Sequence, residues 1–548
     1  MPKNSVERAM AAANASCEQK VRASKLINSV VRIGLSRARD KLKAMGNLKQ
    51  TTAKRIATGT EGLDTILRGG LPPNRLYLLE GQPGSGKTTL ALQFLLDGAA
   101  KGESCLYVTL SETIDELNEV AASHDWTLDA LNIFELASAE AFLGDGRQQS
   151  ILHPWEMELD GTIKLIQAEI DRVKPTRVVF DSLSELRLLA QDSLRYRRQV
   201  LALKQFFAPR NITVLLVDDL TGENGQRDAH LHSLCHGVIS LERMTLDFGA
   251  ARRRMQVQKL RGVNFIAGYH DLTIVTGGMR IYPRLIASDH HVPFVGEAVS
   301  SGVGRIDALL HGGPLRGTST LLTGPAGSGK TNIALQYVVA ACERGEHCCI
   351  LEFDERTGTL LTRAESLGMD LRKHLDSGLL ELHQMDPAEL TPGEFAWTVR
   401  ASVEERHCRV LVIDSLNGYL TSMPQEKQLM LQMHELLSYL NQCGVTTFLI
   451  NPQHGLVGTM STGNLNVSYM ADTVILFRFF EAQGRIRKAL SVIKNRSGAH
   501  EDSIRELRIG GGGIQLSEPL EKFHGVLTGT PQFVGDATPL LDRPLDYP

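Results

Sequence analysis

The stretch GQPGSGKTTLALQF, residues 81–94, recurs 243 positions later as GPAGSGKTNIALQY, residues 324–337. Both copies contain the pattern GxxxxGK[ST] between an apolar run and a helical segment. In such a loop the glycines let backbone N–H groups surround phosphate oxygens, the lysine adds a positive charge, and the following hydroxyl faces Mg²⁺. Two matches in the same context predict two phosphate-binding loops in one chain. The residues predicted to bind nucleotide in these loops are Gly84, Ser85, Gly86, Lys87, Thr88, Thr89, Gly327, Ser328, Gly329, Lys330, Thr331 and Asn332.

The repetition extends beyond the two loops. RVVFDSLSEL (177–186) is matched by RVLVIDSLNGYL (409–420), and VQKLRG (257–262) is matched by VIKNRS (492–497), in the same order along the chain. Each half also contains apolar runs separated by helical segments, which is typical of a mostly parallel sheet flanked by helices. The sequence therefore predicts a duplicated α/β domain, because the period is too long for a solenoid.

The chain has 548 residues, more than the roughly 250–300 residues at which a single core stops growing. An amphipathic pattern over 18–46 favours an N-terminal extension that packs on a partner over one that lies on a membrane surface. The predicted segments are a basic, partly helical arm (1–55), a first P-loop domain (56–286), a linker (287–300), a second P-loop domain (301–516) and a mostly irregular tail (517–548).

Charge is distributed unevenly. Residues 1–55 hold 13 Lys/Arg and 3 Asp/Glu, a net of +10, so the remainder carries −13 within a whole-chain net of −3. An acidic body is a poor surface for nucleic acid. The sequence has no apolar run of about 18 residues to predict a membrane span, no secretory signal, and eight scattered cysteines without paired CxxC motifs for zinc. These features predict a cytoplasmic protein with no membrane span, for which nucleic acid is not the expected partner.

An aspartate ends the same apolar strand in both halves, at Asp181 and Asp414, and Ser-Leu follows each. A carboxylate at this strand end reaches Mg²⁺, usually through water. With Thr88 and Thr331, these residues form the predicted magnesium sites. The alternative is an aspartate that only begins a turn, and the matched places in both halves favour magnesium.

Acidic residues also follow the apolar strand that comes next after each phosphate loop. Glu112 stands there in the first half, and Asp354 and Glu355 stand there in the second. A carboxylate beside a γ-phosphate can accept the proton of an attacking water or hydroxyl, so these three are the predicted catalytic residues. When each site is considered alone, solvated charges that open a helix explain the pattern equally well.

Cations lie two apart near the end of a later strand, as Lys259 and Arg261 and again as Lys494 and Arg496. Residues two apart on a strand point to the same side. Because both pairs lie far downstream of their own loops, they could complete the site of a neighbouring subunit, as an arginine finger does. A solvated strand face remains the alternative.

With these motifs, the chain resembles the KaiC circadian-clock ATPases of the RecA superfamily. The resemblance covers about residues 56–525 and rests on GLDTILRGGLP, VVFDSLSEL, VQKLRGV and IKNRSGAH, with GVLTGTP at 525–531. It implies tandem RecA-like P-loop domains in a two-tiered homo-hexamer that holds ATP and Mg²⁺ between subunits. It further implies slow hydrolysis in the first tier, serine/threonine autokinase activity in the second, and protein signalling partners. The residues implied to reach a neighbour's nucleotide are Lys259, Arg261, Lys488, Lys494, Arg496 and His500, and the intervening Leu260 and Asn495 are also predicted to bind ATP.

Three positions depart from the family pattern. Ser111 stands where the first tier is expected to have an acid, which leaves Glu112 and allows weakened hydrolysis there. Asp354 replaces the usual glutamate and is one methylene shorter. The family's phosphorylated Ser-Thr pair falls on Ser468 and Tyr469, which predicts a single phosphosite, Ser468, with an ordinary loop serine as the open alternative.

Two other functions stay open. A RecA/RadA-type recombinase needs cations and aromatic side chains in the loops that line the ring's hole. The candidate loops, 221–237 and 453–470, hold one Arg in total and no aromatic residue before Tyr469, which disfavours a recombinase. The other possibility is a switch that binds ATP without an autokinase cycle.

Overall fold

The chain divides into two units, Met1–Ile56 and Ala57–Pro548, and the second holds both P-loop domains. The predicted arm (except 54–55), residues 221–228 and 454–467 of the two ring-hole loops, and most of the tail lie outside the described residues. The computed structural model describes residues 54–136, 154–190, 192–220, 229–245, 249–386, 388–421, 429–453, 468–482, 484–527 and 532–533.

The first domain is built on one nine-stranded sheet. Its strands are β1 (Leu76–Gly81), β2 (Cys105–Thr109), β3 (Asn132–Glu135), β4 (Arg177–Asp181), β5 (Thr213–Asp219), β6 (Gly237–Met244), β7 (Arg252–Leu260), β8 (Tyr269–Val275) and β9 (Gly278–Tyr282). Their order is β3-β2-β4-β5-β1-β6-β7-β8-β9. The pairs from β3 to β6 are parallel, and the pairs from β6 to β9 are antiparallel. Helices accompany this sheet at α1 (Leu63–Ile66), α2 (Lys87–Ala100), α3 (Ile114–Ala122), α4 (Pro154–Val173), α5 (Leu183–Ala190), α6 (Ser193–Phe207) and α7 (Ala229–Leu234).

The second domain repeats this plan. Its strands are β10 (Ser319–Pro325), β11 (Cys348–Glu352), β12 (Leu380–Gln384), β13 (Val410–Asp414), β14 (Thr446–Gln453), β15 (Thr473–Ala482), β16 (Arg485–Asn495), β17 (Arg505–Gly510) and β18 (Gly513–Pro519). Their order, β12-β11-β13-β14-β10-β15-β16-β17-β18, is that of the first sheet. The helices are α8 (Gly304–Ala308), α9 (Lys330–Glu343), α10 (Thr357–Ser366), α11 (Leu371–Asp376), α12 (Pro392–Glu404), α13 (Leu416–Thr421) and α14 (Leu429–Gln442).

The central strands are buried on both faces. Every residue of β1, β4, β10 and β13 is buried, as expected where helices cover both sides of a parallel sheet. In the second domain, separate apolar clusters contain alternate residues of β13, with Val412 in one and Ile413 in the other. This confirms the predicted tandem α/β fold. Within the described part of the chain, no helix combines the length and the apolar character needed to cross a bilayer.

The segment predicted as the linker, 287–300, runs along the second domain. Val292 N donates to Gln442 O at 3.2 Å. The Phe294 ring lies so close to Gly317 and Gly444 that a Cβ at either position would come within 2.6 Å of it. The linker is therefore packed against the domain that follows it.

The described part of the predicted tail, 517–527 and 532–533, contains some regular structure within the segment predicted to be mostly irregular. The strand β18 continues to Pro519, and β19 (Phe523–His524) pairs with β20 (Gln532–Phe533). Val526 is buried in a small apolar cluster with Phe480. The start of this segment is therefore packed against β15 and β16.

Candidate functional site

Each phosphate loop joins a buried central strand to a long helix. The helices α2 and α9 begin at Lys87 and Lys330, directly after Gly86 and Gly329. These glycines have φ of 102° and 106°, in the left-handed region that favours glycine. A Cβ at Gly329 would also lie 2.5 Å from Ile509 Cδ1. The lysine therefore opens the helix at the carboxyl end of the central strand in both domains.

In the second loop the lysine is held by backbone carbonyls. Lys330 Nζ donates to Gly324 O at 2.9 Å and to Pro325 O at 2.7 Å. Burial lowers the pKa of Lys330 to about 8, opposed by the charge of Asp414. Among the described residues Lys330 forms no ion pair, so a phosphate entering this loop would meet a buried cation without a directly bonded carboxylate.

In the first loop the lysine has an additional partner. Lys87 Nζ donates to Gly81 O at 3.1 Å and forms an ion pair with Asp219 Oδ1 at 2.6 Å. Asp219 lies opposite Gly81 in the sheet, and Pro452 takes the corresponding place opposite Gly324. The two loops therefore differ in charge although their sequences are nearly the same.

The residues predicted to bind Mg²⁺ lie side by side in the second domain. Thr331 Oγ1 donates to Asp414 Oδ2 at 2.7 Å. Burial raises the pKa of Asp414 to about 6. A hydroxyl and a carboxylate at the loop are hard oxygen ligands of the kind that Mg²⁺ prefers, so these residues fit the ion.

The corresponding carboxylate of the first domain has a different neighbour. Asp181 Oδ2 accepts a hydrogen bond from the buried Tyr107 hydroxyl at 2.5 Å. Burial raises the pKa of Asp181, and this bond opposes the shift. Asp181 Oδ2 is therefore engaged by a tyrosine, whereas Asp414 Oδ2 is engaged by the threonine of its own phosphate loop.

The acids of the second domain surround a cavity of about 500 Å³. Arg363, on α10, pairs with Glu355 at 2.6 Å and also donates to Asn332. The Glu355 carboxylate is therefore paired with an arginine, whereas Asp354, the other predicted catalytic acid of this turn, forms no ion pair with Arg363. The structure brings together around this cavity the predicted residues Gly327, Gly329, Lys330, Thr331, Asn332, Asp354, Glu355, Asp414 and Lys488.

Two charged residues of this cavity, Glu352 and Arg363, are not among those predicted. Glu352 is 1% exposed, and its Oε1 accepts from the backbone N–H groups of Asp354 and Glu355 at 3.1 and 2.8 Å. Burial, with the adjacent Asp414, raises the pKa of Glu352 to about 8. A charged residue at the end of an apolar run, where the other half has Thr109, was the available signal in the sequence.

The first domain has a single acid at the corresponding turn. Burial and then Asp181 raise the pKa of Glu112 to about 7, opposed by Lys87. Its buried Oε2 has no hydrogen-bond partner among the described residues. Val120 stands where the second domain has Arg363, so no arginine of this helix turn engages Glu112. The geometry suits a general base whose pKa lies near neutrality.

Lys494 and Arg496 lie at the end of the sheet opposite to the phosphate loop of their own domain. Lys494 Nζ donates to Ser468 O at 2.8 Å and to Ala471 O at 2.6 Å. Lys494 pairs with Val474 in the sheet, and the preceding residue, Thr473, pairs with Thr320 near the start of β10. The phosphate loop leaves the other end of β10. Five residues at about 3.3 Å each separate these places by ~16 Å. Asn495, Arg496 and His500 follow Lys494 directly or within a short turn.

The first-domain cations are placed in the same way. Lys259 pairs with Val238, near the start of β6, and its Nζ donates to His232 O at 2.6 Å. Arg261 donates to Ser233 O at 2.9 Å. Leu260 is buried in the sheet. The structure therefore brings neither cation pair to the phosphate loop of its own domain.

Lys488 behaves differently, because it lines the cavity that contains its own loop. Lys488 pairs with Phe479 in the second sheet, and Arg253 pairs with Arg243 at the equivalent place in the first. Arg253 is therefore the counterpart of Lys488. Arg253 Nε donates to Gly84 O, in the first loop, at 3.1 Å. Sequence reasoning missed Arg253, although the 235-residue offset of the later strands points to it.

Comparison with known proteins agrees with this architecture. The family model described as "ATPase: KaiC" matches residues 56–286 and again 299–521. The circadian clock oscillator protein KaiC of Parathermosynechococcus lividus is 28% identical over 484 residues, covering 86% of this chain and 87% of the relative. The circadian clock protein KaiC2 of a Synechocystis species is 27% identical, covering 88% and 85%. The KaiC of Synechococcus elongatus is 26% identical, covering 88% and 93%.

The family match spans both halves, and each half has a strand–loop–helix nucleotide site with an adjacent acid turn. Homology and geometry together support ATP binding and ATPase function. This chain belongs to the KaiC family of ATPases.

Proposed function

We propose that this chain forms a cytoplasmic homo-hexameric double ring that hydrolyses ATP in its first tier and phosphorylates itself on Ser468 in its second. Its nucleotide and phosphorylation states act as a signal for protein partners. The names of the relatives, which are circadian clock proteins, support a timing or signalling role.

The side chains of the second site supply what phosphoryl transfer requires. Thr331 and Asp414 would hold Mg²⁺, which when bound neutralises charge on the transferring phosphoryl oxygens. Lys330 and Lys488 lie beside the phosphate loop and stabilise the same charge. Ser468 Oγ attacks the γ-phosphorus, the bond to the β-phosphate oxygen breaks, and ADP leaves while Asp354 accepts the hydroxyl proton.

The observation that carries this proposal is the contact between Lys494 and the Ser468 segment at the end of the sheet opposite to the phosphate loop. An acceptor placed there is too far from its own nucleotide for a reaction, which needs reacting atoms about 3–3.5 Å apart. It can react only with the nucleotide of another subunit. A ring in which each cation edge faces the next subunit's loop meets this requirement.

A mixing experiment tests the proposal. Lys330→Ala chains keep the acceptor but lose the second phosphate site, and Ser468→Ala chains keep the site but lose the acceptor. We expect neither variant alone to gain phosphate with Mg-ATP. In mixed rings, the Lys330→Ala chain, identified by a mass tag, should gain one phosphate by intact-mass analysis.

Phosphopeptide mapping places that phosphate. A phosphate on Ser468 of the Lys330→Ala chain supports transfer between subunits. Incorporation only into chains with an intact Lys330 would contradict it. Mapping to Tyr469, or no incorporation while hydrolysis continues, would identify an ATPase switch without a serine autokinase cycle.

A further inference from the structure

Thr109 and Glu352 occupy equivalent places in the two domains. Thr109 ends β2 and lies opposite Asp181, and Glu352 ends β11 and lies opposite Asp414. In the first domain the Thr109 hydroxyl accepts from Glu112 N at 3.0 Å and donates to Glu112 O at 2.7 Å. A side-chain oxygen at this place therefore holds the backbone of the turn that carries the catalytic acid.

Glu352 makes the same kind of contact but accepts from two backbone N–H groups instead of one. Its Oε1 accepts from both Asp354 N and Glu355 N, at 3.1 and 2.8 Å. Its Oε2 is buried, has no hydrogen-bond partner among the described residues, and belongs to a side chain that lines the cavity. Burying an acceptor without a partner costs free energy, so a carboxyl at this place calls for a role.

We propose that Glu352 is a positioning residue of the second site, which fixes the Asp354–Glu355 turn through two backbone hydrogen bonds and offers Oε2 to a water in the nucleotide cavity. The shorter Thr109 side chain accepts from the N–H group of Glu112 and donates its own proton to the carbonyl of the same residue. The Glu352 carboxyl satisfies both N–H groups of its turn and still has one oxygen free for the cavity.

Arg363 also supports the turn, through a side chain. It pairs with the Glu355 side chain, whereas Glu352 holds the Glu355 backbone. Asp354 is then the acid whose placement depends on Glu352. Positioning of this kind matters because a displacement of about 1 Å can reduce a rate on the order of 100-fold.

The experiment compares Glu352→Ala, Glu352→Gln and Glu352→Thr in the full-length chain. Amide hydrogen exchange over 353–357 reports on the turn without any need for activity. We expect Glu352→Ala to lose protection at Asp354 and Glu355. Glu352→Gln keeps a carbonyl acceptor and should retain it, and Glu352→Thr should retain protection at one amide, as in the first domain.

A second measurement, which rests on the proposed function, follows single-turnover phosphate transfer from ATP to Ser468 in a Glu112→Gln background that silences hydrolysis at the first site. Glu352→Ala should lower the transfer rate about 10- to 100-fold. The affinity for a fluorescent ATP analogue with Mg²⁺ should change less than about twofold. Glu352→Gln and Glu352→Thr should each exceed Glu352→Ala in rate.

The outcomes separate the two claims. Unchanged exchange in Glu352→Ala, or equal loss in all three variants, overturns the positioning role. A parallel loss of ATP affinity and of rate in Glu352→Gln would also overturn it, since it would indicate a general structural role. If hydrogen exchange in the variants is as expected but the parent chain transfers no phosphate at its second site, the positioning role stands and the proposed activity is refuted.

Discussion

Lys87 Nζ lies 2.6 Å from Asp219 Oδ1, and Pro452 stands in the place of Asp219 in the second domain. The lysine that meets the phosphates is therefore paired with an acid in one loop and free of such an acid in the other. This difference makes the two nucleotide sites chemically distinct.

We expect Asp219→Asn to tighten ATP binding at the first site. The change removes a negative charge beside the incoming phosphates and frees the Lys87 ammonium. A partly exposed pair of this kind is worth about 1 kcal/mol, so the gain should be about three- to tenfold. Titration with a fluorescent ATP analogue in a Lys330→Ala background isolates this site. The charge-preserving Asp219→Glu serves as control, and weaker binding by Asp219→Asn would show instead that Asp219 helps to hold the nucleotide.

Hydrolysis at the first site should rise with pH and reach half its maximum near pH 7. The pKa of Glu112 is raised to about 7, mainly by burial, and a general base must be ionised to accept a proton. Below pH 7 the carboxyl is protonated and the rate falls, and above pH 7 the rate levels off. Steady-state phosphate release in the Lys330→Ala background measures this profile. A flat profile from pH 6 to 8, or full activity of Glu112→Gln, would exclude Glu112 as the base.

Loss of each phosphate-loop lysine should have a different consequence. Lys87→Ala should mainly impair ring assembly and hydrolysis. Lys330→Ala should abolish phosphate incorporation and leave assembly mostly intact. Light scattering with ATP and intact-mass analysis separate these effects. Equal loss of both activities in both variants would reject the division of labour between the domains.

Arg177→Met should destabilise the first domain. Arg177 is 1% exposed, pairs with Glu103 at 2.7 Å and Asp97 at 3.0 Å, and donates to Phe94 O at 2.7 Å. Removing the buried partner of an ion pair costs about 3–5 kcal/mol, and here Glu103 loses its ion pair and the Phe94 carbonyl loses this donor, whereas Asp97 keeps Lys101 at 2.7 Å. Urea unfolding followed by fluorescence measures the loss.

The matched control is Arg172→Ala. Arg172 is 68% exposed and pairs with Glu169 on the same helix, so its removal should leave the unfolding midpoint unchanged. An equal effect of the two substitutions would contradict the importance of burial for Arg177.

Several features followed from sequence alone because their physical causes are local. The glycines, lysine and hydroxyl of each phosphate loop stand within a few residues of one another, so their pattern determines the loop conformation directly. The apolar runs that end at Asp181 and Asp414 likewise predicted buried strands of a parallel sheet. Duplication strengthened both inferences, since each motif recurs in the same order.

Only the tertiary structure decided which cations approach which loop. Lys494 and Lys488 lie on the same strand, six residues apart, yet one contacts the Ser468 segment and the other lines the cavity. Their separation depends on the antiparallel direction and register of β16 beside β15, which a single sequence does not determine.

The roles of Glu352 and Arg363 also required the fold. Glu352 gains its position beside Asp414 from the pairing of β11 with β13, whose residues are 62 positions apart in the chain. Arg363, on α10, hydrogen-bonds both Glu355 and Asn332, which is 31 positions away in the chain. The sequence by itself determined two nucleotide loops in a duplicated α/β chain. The three-dimensional packing determined how charge is arranged around each one, because electrostatic interactions depend on distances between residues that are remote in sequence.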